Sequence, residues 1–128
     1  MDRHTQSRLK NDVVIWLVTA GKDLKPHAVP VWFWWDGKVF LIYAVPGQKV
    51  RNVRENRFVE LHLNSDPAGE DFVRVEGTAT IPRNHPPAHK VAGYMKKYGG
   101  QLKDIGQTPQ QFSEAYPNPI RIRPTKFH

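Results

Sequence analysis

The sequence predicts a mainly β domain, a barrel or a sandwich. Three observations point there. Short runs rich in β-branched and aromatic residues recur along the chain, and tight-turn signals separate several of them. Two of the runs, "FVELHLN" and "FVRVEGTATI", alternate apolar with polar residues, as half-buried antiparallel strands do. Helical spacing is confined to short segments. A chain of 128 residues with 39% hydrophobic content fits one domain, residues 1–128, with a core of its own.

The elements follow in order. Residues 1–11 are polar and read as a short helix or arm. "VVIWLVTAG" (13–21) is the first strand, and "GKDLKP" (21–26) is a turn. "VPVWFWWDG" (29–37) is the second strand. Val29, Val31, Phe33 and Trp35 fall on one face, Pro30, Trp32 and Trp34 on the other. Asp36-Gly37 signals a hairpin into the third strand, "KVFLIYA" (38–44). Pro46 and Gly47 end that strand, and 45–57 reads as a loop and short helix. The fourth strand covers 58–64 and the fifth 72–81, with Gly77 a candidate bulge. Residues 86–100 read as a helix opened by proline and ended by glycines, and 109–116 as a second. "PIRIRPTKFH" supplies the sixth strand.

Composition narrows the chemistry. Without cysteine there is no disulfide, thiolate metal site or cysteine nucleophile, which fits a reducing compartment. The polar N-terminus is no signal peptide, and no apolar run approaches a membrane span. The expectation is a cytoplasmic protein without a membrane partner. Ser7, Ser65 and Ser113 lack a nucleophile-elbow context. His85 and His89 are four apart, but two prolines between them place them at a helix start, so no metal site is assigned.

A net charge of +7 favours anionic partners. Its best placement is "GQKVRN", where Lys49 and Arg51 open a helix and can donate to phosphate, with Arg54 and Arg57 extending the patch. A solvated basic helix is the plain alternative. The two-faced second strand needs a cover for Trp32 and Trp34. A partner subunit, a cofactor ring or the chain's own helix would serve, and core or dimer packing is favoured over cofactor stacking.

In this order, "VPVWFWWDG", "PGQKVRNVREN" and "VEGTA" resemble the pyridoxamine 5'-phosphate oxidase-like split β-barrel superfamily. More narrowly, they resemble its actinobacterial-type group of F-420-dependent enzymes. The resemblance covers residues 16–81 well and continues more loosely through "YMKKYG" and "YPNPIRIRPT". It implies a six-stranded antiparallel split barrel with flanking helices, working as a homodimer with cofactor clefts at the interface. One face of the second strand would then fill the barrel, and the other would meet the partner and the cofactor ring. By position, Lys49 matches the phosphate-binding lysine, and Arg51 and Asn52 the basic and polar positions after it. Pro30, Val31, Trp32 and Phe33 match the strand lining the ring. Tyr43 and Ala44 match the strand end beside the phosphate. Relatives often carry Ser or Thr where Ala44 stands, and some deazaflavin binders carry Arg where Gly47 stands, so two phosphate donors are missing here.

The function so implied is an oxidoreductase using coenzyme F-420 to pass a hydride to a small unsaturated substrate, with His27 a conceivable proton source. The alternatives are an FMN-binding oxidoreductase and a non-catalytic cofactor-binding protein. A nucleic-acid-binding barrel is disfavoured, because the aromatics sit in continuous apolar runs with little basic interleaving.

Overall fold

A computed structural model describes all 128 residues. The elements are α1 (Arg3–Asn11), β1 (Val14–Ala20), β2 (Pro26–Trp32), β3 (Trp34–Trp35), β4 (Phe40–Ala44) and α2 (Gln48–Glu55). β5 (Phe58–His62), β6 (Arg74–Thr80), a 3-10 turn (Ala88–Lys90), α3 (Ala92–Asp104), α4 (Pro109–Ala115) and β7 (Asn118–Phe127) follow. The strands form one antiparallel sheet in the order β2-β1-β5-β6-β7-β4-β3, curled into a split barrel.

The expected count of six strands becomes seven because the second strand breaks at Phe33. β2 lies on one edge of the sheet and β3 on the other. The chain therefore passes from edge to edge through a single residue, and that step closes the barrel. Phe33 is fully buried at this seam. Its backbone has no ladder there, so side chains from α3 serve instead. The Tyr98 hydroxyl accepts the Phe33 N–H at 2.8 Å and has the Val13 and Phe33 carbonyls within donating range at 2.6 and 2.8 Å. Lys97 Nζ donates to the Phe33 carbonyl at 2.9 Å and stands 3.6 Å from the centre of its ring.

Ile15, Leu17, Phe40, Ile42, Leu61, Val75, Ile120 and Ile122 fill the barrel. Each such burial contributes about 1.5–3 kcal/mol. A second cluster lies outside the sheet, where Leu41 and Tyr43 meet Tyr94, Tyr98 and Leu102 of α3 and Phe112 of α4. β4 is thus buried on both faces, which accounts for its unbroken apolar sequence.

The second face of the 29–35 run is covered by the chain's own helices at Trp32 and Trp34, while Pro30 is exposed. Trp32 stacks on Tyr98, with centroids 4.5 Å apart and planes 4° apart, and on Phe112 at 5.6 Å. Trp34 lies against Gly93, where a Cβ would come within 2.0 Å of the indole. Only glycine lets α3 approach so closely.

The Gly77 bulge is present as a register shift between Glu76 and Gly77, where a Cβ would meet the Arg123 carbonyl at 2.8 Å. Gly99 and Gly100 do not end α3. The helix runs on to Asp104, and Gly106, at φ +72°, follows its end. α4 begins on a capping box between Thr108 and Gln111 with Pro109 in its first turn.

Candidate functional site

Pro46 and Gly47 break the chain after β4, and α2 starts at once. This places Lys49 in the first turn of α2, beside the C-terminal end of β2. A cleft of about 430 Å³ opens between these elements, α3 and α4. That volume lies in the range of small-molecule sites, roughly 300–1,000 Å³.

The cleft is apolar with one cation. Lys49 makes no salt bridge, and partial burial draws its ammonium below the usual lysine range. A half-buried charge without a partner is costly, and an anionic ligand group would offset that cost.

The opposite wall is aromatic. Tyr98, Trp32, Phe112 and Tyr116 stack in sequence at 4.5, 5.6 and 4.5 Å, with planes within 17° of parallel. The last three line the cleft, as does Tyr94. Tyr94 is fully buried, and its hydroxyl has no hydrogen-bond partner. Burial, reinforced by the neighbouring phenols of Tyr98, Tyr43 and Tyr116, raises its pKa well above the ordinary value and keeps it protonated. Tyr43 also stays protonated through burial and donates to the Pro86 carbonyl at 2.8 Å. A planar ring along the aromatic wall and an anionic group at Lys49 would satisfy what the cleft exposes. The residues present therefore fit a flavin-type group.

Five of the nine residues singled out by the resemblance line this cleft: Pro30, Val31, Trp32, Tyr43 and Lys49. Four do not. Phe33 closes the seam, and Ala44 is fully buried against the barrel core. Asn52 is buried and spent on structure, donating to Thr19 Oγ1 at 3.0 Å and accepting from Gln48 at 2.7 Å. Arg51 is exposed and donates to Gln48 at 3.0 Å. On α2 the residues after Lys49 turn away from it, so adjacency in sequence is not adjacency in the site. His27 sits opposite Thr19 near the start of β2 and does not line the cleft. His85 approaches the Tyr43 phenol at 3.3 Å, whereas His89 is held by Ser113 at 2.8 Å.

Tyr94, Phe112 and Tyr116 were not foreseen as site residues. Their signal is an aromatic spacing of four in each of two helical segments, Tyr94 to Tyr98 and Phe112 to Tyr116, which reads as core. Only the fold shows that this core face also walls a cleft.

The family described as Pyridoxamine 5'-phosphate oxidase matches residues 1–126. Among solved structures, an F420 reductase is 25% identical with a TM-score of 0.70, covering 96% of this chain and 94% of its own. A conserved hypothetical protein of Mycobacterium tuberculosis, Rv2991, is 21% identical with a TM-score of 0.73, covering 99% and 82%. HutZ, a heme storage protein of Vibrio cholerae, is 10% identical with a TM-score of 0.70, covering 99% and 92%. No curated protein sequence is significantly similar.

Proposed function

The chain belongs to the pyridoxamine 5'-phosphate oxidase family, and from that premise we propose that it is an oxidoreductase using coenzyme F-420, with FMN the alternative cofactor. The observation that carries this reading is the lone, half-buried Lys49 facing a stacked aromatic wall across one cleft. The likeness to an F420 reductase supports the choice of cofactor. The likeness to a heme storage protein, at 10% identity, bears on the fold alone.

When bound, the reduced deazaflavin supplies the hydride. The chain's own residues bind, orient and exclude water. Lys49 donates to the anionic group. Trp32, Phe112 and Tyr116, already stacked on one another, wall the cleft and exclude water. The substrate is a small unsaturated molecule admitted at the open side of the cleft.

We further propose a homodimer, on a different ground from the one the sequence suggested. The Trp32 end of the second strand is roofed by α3 and α4. No helix covers the rest of the same outer face, which is half-buried along β1 and exposed at Pro26, Ala28 and Pro30 of β2. Trp16, Val18 and Ala20 of β1 stand there beside Pro30, Ala28 and Pro26 of β2, with Phe58 63% exposed nearby. This surface runs into the cleft through Val14 and Pro30. A second copy seated on it would supply the missing wall.

The test is titration of the purified protein with F-420 and with FMN, followed by absorbance and fluorescence. Lys49→Ala is expected to weaken binding about ten- to a hundredfold, the loss of one charge-assisted contact of about 1.5–3 kcal/mol, while the thermal midpoint stays put. Unchanged affinity would move the site elsewhere. Arg51, Arg54 and Arg57 should steer a polyanionic tail, so F-420 binding should fall more steeply with salt than FMN binding. Equal slopes would favour FMN.

A further inference from the structure

A second cleft, of about 860 Å³, lies away from Lys49 between α1, the β3–β4 turn and α3. Its chemistry differs from that of the first. Lys10 reaches it from α1, and Lys96 and Lys97 from α3, with Ser7 and Asn11 beside them. Trp34 and Trp35, both half-buried, give it an apolar side.

Lys10 and Lys96 are unpaired, whereas Lys97 Nζ donates to the Phe33 carbonyl at 2.9 Å. None of the three takes part in a salt bridge. Elsewhere the molecule does pair its charges: Arg8 with Asp12 and Asp71, Arg74 with Glu60. Asp36 is the one carboxylate lining the cleft, and it is occupied. Its Oδ1 accepts the N–H groups of Lys38 and Val39 at 2.7 and 2.8 Å and so fixes the turn. Asp12 acts on Lys97 from α1, but Arg8 already holds it at 2.6 Å. Lys97 itself faces the rings of Phe33 and Tyr98, and burial pushes its pKa down to about 8. Three lysines and one carboxylate line the hollow, which is left with a net positive charge.

We propose that this cleft binds an aromatic phosphate monoester, with the phosphate at Lys10 and Lys96, beside Lys97, and the ring against Trp34. A dianion matches the net positive charge of the lining, and an indole favours a planar ring. The site is separate from the Lys49 cleft and does not rest on the function assigned to that cleft.

The probes are adenosine 5'-monophosphate, adenosine and inorganic phosphate, each titrated into the isotope-labelled full chain and followed by NMR. The monophosphate should shift the indole N–H signal of Trp34 and leave that of Trp16 in place. It should also raise the Lys97 pKa above about 8. Adenosine and phosphate alone should bind at least about tenfold more weakly. The double variant Lys10→Gln, Lys96→Gln should weaken the monophosphate at least about tenfold. Both residues are exposed, so unchanged Trp16 and Trp32 signals will certify the fold. Lys49→Gln should leave this affinity unchanged. Shifts confined to Trp32, equal binding of adenosine or of phosphate, or no shift by about 10 mM ligand would each overturn the proposal.

Discussion

Trp16 and Trp32 stand on the same outer face of the sheet, yet their surroundings differ. Pro30 is opposite Trp16 in the β1–β2 ladder, and Trp32 is two residues further along, so the two indoles are diagonal neighbours. Trp32 is sandwiched between Tyr98 and Phe112. Trp16 has only the His62 ring, 6.0 Å away, and a hydrogen bond from Nε1 to Asn64 at 2.8 Å. One end of an apolar face is core because helices from later in the chain reach it. The other end is surface because none does. The local sequence of a strand shows that a face will be covered, but not by what.

The comparison breaks most sharply at Trp32. Trp32→Ala should remove the centre of a stacked column and cost about 3–5 kcal/mol, measured by denaturant unfolding. A loss under about 1 kcal/mol would mean that the helices do not depend on that face.

Trp16→Glu probes the other end. It should cost a monomer no more than about 1.5 kcal/mol, the scale of the bond to Asn64, and weaken self-association by about 2 kcal/mol or more, read by sedimentation. A wild-type chain that stays monomeric at micromolar concentration would remove the dimer outright.

Tyr98→Phe sharpens the picture of the roofed end. The ring stack is kept, but the Phe33 N–H loses its acceptor. The expected cost is about 1–3 kcal/mol, with faster hydrogen exchange at Phe33.

The smallest effect is in pH. Lys97 has a depressed pKa in the folded state, near 8, so above that value the unfolded chain binds more protons and stability rises with pH. Tyr43, Tyr94 and Tyr98 have raised pKa values, so above their ordinary value of 10 the unfolded chain ionises first and stability falls. Stability should therefore climb from about pH 8 and turn down above about pH 10. Lys97→Gln should flatten the rise.

Much of the fold was legible in the sequence. Alternation placed β5 and β6, Asp36-Gly37 placed the hairpin, and Gly77 marked the bulge. The break at Phe33 was not legible, because an apolar run has the same period whether or not it changes edges, and the side chains that stabilise the break lie 64 and 65 residues away. The cleft was half legible. Lys49 and Pro30 to Trp32 carry local signals. Tyr94, Phe112 and Tyr116 are brought to the cleft by tertiary packing, and Asn52 is drawn from it by the buried Thr19 hydroxyl.

The seam at Phe33 also sets a timetable for synthesis. A ribosome completes β1 to β4 long before it delivers Tyr98 and Lys97, the side chains that lock the two sheet edges together. Through that interval the nascent sheet carries open edges, the usual template for pairing with another chain. Pro26 and Pro30 lie in the β2 edge strand and withhold two N–H donors from any such partner. Their service is greatest while the barrel is unfinished, and replacing them should show first as aggregation during expression rather than as a fall in the stability of the finished protein.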